Sequence, residues 1–224
     1  MLNSNVVSSD IDQGLRAYMI GIYNRMSIGL VITGIVAYVM SSVPELSHLY
    51  QTWLIWPMIL SPLALVFFMG FMVEKLDAKT LKTLFFTYSV LMGMSLGVFF
   101  MAYTSASIFQ AGFITAATFA AMSLYGYTTK RDLTSIGSFL MMGLIGIVIA
   151  GLVNIFLASS MLGFIINAAA VLIFVGLTAY DTQKLKEMYE VADDKTMTMG
   201  ALTLYMDAIN LFINILQLIG EKKE

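Results

Sequence analysis

An all-α integral membrane protein of seven transmembrane helices is predicted by three observations. The chain is 59% hydrophobic and 12% charged over 224 residues, with a mean hydropathy of +0.84, a composition suited to lipid rather than water. Seven stretches come close to, or exceed, the about 20 mostly apolar residues that carry a helix across a bilayer. The connections between them are short, so no room remains for a soluble domain.

In chain order the expected spans are Met26 to Val43, Trp53 to Val73, Thr83 to Tyr103, Ser107 to Tyr127, Ser135 to Leu157, Met161 to Asp181, and Met199 to Ile219. Residues 1–25 are polar, with Asp10, Asp12, Arg16 and Arg25, and contain no short apolar core ahead of a small-residue cleavage site. No signal peptide is therefore expected, and the first span serves as the anchor. Residues 26–219 read as one membrane domain, followed by a short tail at 220–224. The chain has no cysteine, which excludes disulfides and thiolate metal sites and fits a bacterial inner membrane. The formal charge of -2 gives no sign of a nucleic-acid partner.

Orientation follows from the basic residues. Arg16 and Arg25 precede the first span, Lys75, Lys79 and Lys82 lie between the second and third, Lys130 and Arg131 between the fourth and fifth, and Lys184, Lys186 and Lys195 between the sixth and seventh. The other three connections have none. Lysine and arginine concentrate on the cytoplasmic side, which places the N-terminus inside. Lys222 and Lys223 follow the seventh span and lie outside if it crosses fully, or inside if it is re-entrant. Trp53, Trp56, Tyr103, Tyr125, Tyr127 and Tyr180 fall near span ends, where interfacial aromatics belong.

The last span carries the most informative residue, Asp207. A carboxylate near the bilayer centre costs about 2.5–3.5 kcal/mol on insertion scales, so it calls for a partner or a watered path. Asp181 ends the sixth apolar run and is the expected partner. Thr203, Asp207, Asn210, Asn214 and Gln217 recur at spacings of 4, 3, 4 and 3, which puts them on one helical stripe. Asn167, Thr178 and Asp181 share a face of the sixth span by the same count. Both stripes fit either a polar pathway or interhelical hydrogen bonds worth roughly 0.6 kcal/mol each. An ionisable group at Asp207 is more than such packing requires.

Other signals carry less. Gly93-Met94-Ser95-Leu96-Gly97 matches the nucleophile elbow G-x-S-x-G, but that motif needs a strand-to-helix turn and a histidine base. In mid-span it reads as a GxxxG packing surface instead. His48 sits in an outer connection beside Glu45, the solvated position of a loop residue. A bis-histidine haem site is impossible with one histidine, and the last span lacks the lysine that retinal would want. No cofactor is expected. The 18 methionines are read as packing fillers, and Glu187, Glu190, Asp193 and Asp194 as a solvated loop.

Three motifs carry a resemblance: Tyr125-Gly126-Tyr127-Thr128-Thr129-Lys130-Arg131-Asp132-Leu133, Gly176-Leu177-Thr178-Ala179-Tyr180-Asp181-Thr182-Gln183-Lys184, and Leu202-Thr203-Leu204-Tyr205-Met206-Asp207-Ala208-Ile209-Asn210-Leu211-Phe212. On these the chain resembles the Bax inhibitor family, in its bacterial branch. The resemblance implies seven helices with the last one central, and a pH-sensitive calcium leak gated by two aspartates that match Asp181 and Asp207. Some relatives place an arginine at the inner end of the second span. Here that region reads Met72-Val73-Glu74-Lys75, so Lys75 is the expected charge partner, without the planar fork of arginine.

Calcium takes about 6–8 oxygen ligands, of which Asp181, Asp207, Asn210, Asn214 and backbone carbonyls could supply some, as a weak site. Two nearby carboxylates resist double ionisation and titrate as a coupled unit. Asp207 lies eight residues into its apolar span, about 12 Å, which sets the expected constriction toward the cytoplasm. The function expected is a non-enzymatic, pH-sensitive cation leak whose partners are the bilayer, calcium ions and protons. The alternative is a non-conducting regulator that binds other membrane proteins, such as proteases or stress and cell-death factors. An intramembrane hydrolase ranks third, because no serine has a credible base. The charge bias makes a direct prediction: reporter fusions at the N-terminus and at Lys130-Arg131 both report a cytoplasmic location, and either one found outside overturns the orientation.

Overall fold

Helices account for nearly all of the chain, as the absence of any extended hydrophobic alternation requires. The computed structural model describes residues 4–191 and 193–223; the side chains of residues 4–12, 190 and 191, including Asp10, Asp12 and Glu190, lie outside the description. The helices are α1 (Ser4–Ser42), the short α2 (Pro44–Ser47), α3 (Ile55–Met72), α4 (Ala78–Ala102), α5 (Ser105–Thr128), α6 (Thr134–Leu157), α7 (Ser160–Glu187) and α8 (Asp194–Ile219). All but α2 are long and apolar enough to cross a membrane. The chain is an all-α, polytopic integral membrane protein.

Several helices overrun their apolar stretches at the basic end. Helix α1 begins at Ser4, α4 at Ala78 and α8 at Asp194, and α7 continues to Glu187. Hydropathy marks where lipid touches a helix, whereas its end is set by where backbone N–H groups find other acceptors. Aspartates provide these at three starts. Asp77 Oδ2 accepts from Thr80 N–H at 3.2 Å, Asp132 Oδ1 from Thr134 N–H at 2.8 Å, and Asp193 Oδ1 from Thr196 N–H at 2.7 Å. The threonine hydrogen bonds hold all three carboxyls below the ordinary carboxylate range. The stabilisation is therefore complete above that range and is lost as pH falls through the lowered folded values.

The chain divides into two compact units. The first contains α1 to α4 with residues 185–205. Its centre is Tyr205, fully buried, with Phe85 and Tyr88 edge-on at centroid distances of 5.7 and 5.6 Å. Thr33 Oγ1 donates to Ser89 O at 2.8 Å, which uses its only proton, so the Tyr205 hydroxyl is the donor in their 2.6 Å bond. Arg25 donates to Asp194 O at 2.9 Å and Thr198 Oγ1 at 2.7 Å and pairs with the Asp194 carboxylate. This ties α1 to the start of α8. Gly93 and Gly97 pack as the sequence suggests. A Cβ on Gly93 would lie 2.7 Å from Thr33 O, and one on Gly97 would collide with the Tyr50 hydroxyl. Tyr50 donates to Met94 O at 2.5 Å, and burial pushes its phenol up to about 12. His48 is exposed, as expected.

The second unit contains α5, α6 and α7 as far as Lys184, with residues 206–224. Helix α8 is unbroken over 26 residues, about 39 Å at 1.5 Å per residue and longer than a bilayer core. The helix is long enough to cross a membrane. Its end is fastened to the start of α5: Thr104 N–H donates to Glu221 O, Lys223 N–H to Ala102 O, and Glu221 N–H to Ser107 Oγ, each at 2.9 Å. Half of the most apolar window of α8 is buried, against 0–33% in the other spans. Helix α6 has the highest hydropathy and the 0% value, as befits a helix facing lipid.

Close approach within this unit depends on Gly126. A Cβ there would lie 2.2 Å from the carbonyl oxygen of Ala179, a contact that backbone cannot yield to. Gly126→Ala is expected to destabilise the protein by about 1–3 kcal/mol, as overpacking does. Thermal unfolding in detergent checks this, and an unchanged midpoint would contradict the close α5–α7 packing.

Candidate functional site

Five consecutive residues of α7, Ala179 to Gln183, meet neighbours around the helix. Successive residues differ by about 100°, so such a run contacts every side. Ala179 lies against Gly126 of α5, and the Tyr180 ring against Gly137 of α6. The Asp181 carboxyl neighbours that of Asp207 on α8, within reach of a shared proton. Thr182 Oγ1 and Ser123 Oγ of α5 are 3.0 Å apart. Gln183 bonds the main chain of the α5–α6 connection at both ends of its amide.

The acid pair is therefore formed, and unequally placed. Asp207 is 5% exposed and occupies the fourteenth of 26 positions in α8, the middle of the helix. Helix α8 begins five residues before the apolar stretch, so Asp207 is about 20 Å from the helix start and about 12 Å from the start of the apolar span. Asp181 is half-buried, six residues before the end of α7 at Glu187. Asp207 Oδ2 is one of two buried side-chain oxygens without a hydrogen-bond partner among the described residues, the Tyr18 hydroxyl being the other. A carboxyl–carboxyl hydrogen bond exists only while the pair holds a proton, since an ionised carboxylate is purely an acceptor.

The cation acting on Asp181 is Lys184, three residues on along the same helix, with its ammonium 5.8 Å from the centre of the Tyr180 ring. Lys75 is exposed in the α3–α4 connection of the first unit. The i, i+3 spacing from Asp181 to Lys184 is legible in the sequence, as is the polar run Asp181-Thr182-Gln183. Their significance is hidden because the spacing does not tell which side α5 occupies.

The stripe on α8 is polar, but it does not reach across helices by the hydrogen bonds described. Thr203 Oγ1 donates to Met199 O at 3.1 Å, Asn210 Nδ2 to Met206 O at 2.8 Å and Asn214 Nδ2 to Asn210 O at 2.7 Å, all one turn back on the same helix. Interhelical bonding is thus not their described role, because a side chain can satisfy its donors locally. By spacing, Asn210 and Asn214 share the face of Asp207. Gln217 is exposed, ten residues or about 15 Å beyond Asp207. On α7, Thr178 Oγ1 donates to Phe174 O at 2.8 Å. Asn167 is half-buried but about 21 Å along the helix from Asp181, so it is not brought to the pair. Among the described residues no group of three or more acidic or histidine side chains could hold a metal ion.

A family model described as inhibitor of apoptosis-promoting Bax1 matches residues 15–224. The inner membrane protein YbhL of Escherichia coli K12 is 45% identical over 220 residues, covering 94% of each chain. The protein RP147 of Rickettsia prowazekii is 44% identical over 231 residues, covering all of this chain and 97% of its own. A membrane protein of Streptococcus pyogenes serotype M1 is 34% identical over 228 residues, covering 98% of this chain and 99% of its own.

The two kinds of polar residue on α8 should respond differently to removal. Asn214→Ala gives up a bond within one helix and is expected to cost no more than about 1 kcal/mol. Asp207→Ala removes the partner of Asp181 and is expected to abolish any activity of the site in protein of normal abundance. Equal loss in both variants, measured as ion flux, would reduce the stripe to helix packing.

Proposed function

This chain belongs to the Bax inhibitor family, and from that premise we propose that it is a non-enzymatic cation leak, calcium being the favoured ion, switched by the protonation of Asp181 and Asp207. The observation that carries this reading is the carboxyl pair, one member on α7 and the other at the middle of α8. A membrane-embedded ionisable group is costly and marks an ion or proton path more often than a packing contact. While a proton is shared, the pair joins two helices; when both groups ionise, the same pair repels in a medium that screens poorly. Proton binding thus changes the relative free energy of two helix arrangements.

The ligand complement supports permeation rather than storage. Asp181, Asp207 and the amide oxygens of Asn210 and Asn214 fall short of the about 6–8 oxygens calcium takes, so a passing ion would keep part of its water. Protons and calcium compete for the same carboxylate oxygens. The inner-membrane location given for YbhL, together with the charge bias of the connections, supports the same membrane here with the N-terminus in the cytoplasm.

The test is calcium flux into liposomes containing the purified protein, from about pH 5 to 8, the range open to perturbed carboxyls. Each of Asp181→Asn and Asp207→Asn is expected to flatten the pH dependence, and the double substitution to add little, because coupled groups are non-additive. The direction of the flux change identifies which arrangement the shared proton stabilises. A double variant with the wild-type pH profile would eliminate the mechanism.

A further inference from the structure

We propose that Gln183 is a positioning residue that fixes the rotation of α7 about its axis and thereby sets the contact between Asp181 and Asp207; this rests on reading that pair as the switch. Gln183 is 8% exposed. Its Oε1 accepts from Leu133 N–H at 2.8 Å and its Nε2 donates to Arg131 O at 2.8 Å. The partners leave no freedom in the amide orientation, since an N–H must meet the oxygen and a carbonyl the nitrogen. Two parallel bonds to one main-chain segment resist rotation as well as translation.

The geometry separates this role from contact with the acids. Asp181 and Gln183 are two residues apart, about 200° around the helix, so they point to opposite sides of α7. Gln183 can therefore act on the pair only through the backbone. A rotation that carries Asp181 away from α8 swings position 183 through the same angle and strains both amide bonds. The 3.0 Å contact between Thr182 and Ser123 adds a second point of support on another face. The charged groups around the pair are Asp181 and Asp207 themselves and Lys184. The connection held by Gln183 adds Lys130, Arg131 and Asp132, all exposed.

A purely structural tether would lower stability and leave the switch alone, so the test reads the switch. The chain has no cysteine, which allows Asp181→Cys with Asp207→Cys to be joined by a short thiol-to-thiol cross-linker. Adding Gln183→Leu is expected to slow that cross-linking about tenfold, the effect of losing hydrogen bonds to the main chain. In the otherwise native protein, Gln183→Leu is expected to move the midpoint of the flux–pH curve by about one unit, and Gln183→Glu, which keeps the acceptor for Leu133, by less. The shift should vanish when Asp181→Asn and Asp207→Asn are already present. An unaltered cross-linking rate, an unmoved midpoint in folded Gln183→Leu and Gln183→Glu, or a shift that survives without the aspartates would each overturn the proposal. If the aspartate variants alone keep the pH response, the leak reading fails instead, and the cross-linking rate still judges the positioning role.

Discussion

The carboxyls of Asp181 and Asp207 bring α7 and α8 together at a place where Asp207 has almost no access to solvent. An acid in that position has few stable states. Ionised and alone it would carry a desolvation penalty of several kcal/mol, so its charge must be shared with a proton, a cation or a partner. The rest of the second unit is arranged so that the partner is another acid. That choice makes the contact conditional, because a carboxyl pair binds or repels according to its protons.

The supports around Asp181 are of a different kind. Gly126 and Gly137 let α5 and α6 approach α7 at Ala179 and Tyr180, and Thr182 and Gln183 add hydrogen bonds to uncharged groups. None of these contacts requires ionisation. A conditional bond is thus set within unconditional ones, and a change of proton count acts on the pair while the α5–α7 packing persists. In the first unit the equivalent fastening is also independent of the pair: Tyr205 is held through Thr33, and the start of α8 through Arg25.

Much of this was legible from residue spacing, for identifiable reasons. Seven spans follow from hydropathy because lipid requires every backbone group to be paired within the protein, and continuous apolar runs of about 20 residues meet that as helices. Asp207 stands out because charge is rare in such a stretch, and Asp181 because it closes one. The full length of α8 was not legible: it starts at Asp194, where the Asp193–Thr196 cap allows it, and not where the apolar residues begin. The stripe of Asn210 and Asn214 was legible as a face, but periodicity cannot tell a bond across helices from one back to the same helix. Lys184 and Gln183 were in view in the motif, yet their roles depend on which neighbours surround α7, a fact of tertiary packing.

The central claim is that Asp181 and Asp207 hold a proton in common inside the membrane. Infrared difference spectroscopy between acid and neutral pH observes the carbonyl stretch of protonated carboxyls directly. The account predicts a band from a buried carboxyl that is altered by Asp181→Asn and by Asp207→Asn alike, since each removes one side of a single coupled site. A band that disappears in one variant and is untouched in the other would show two independent acids and contradict it.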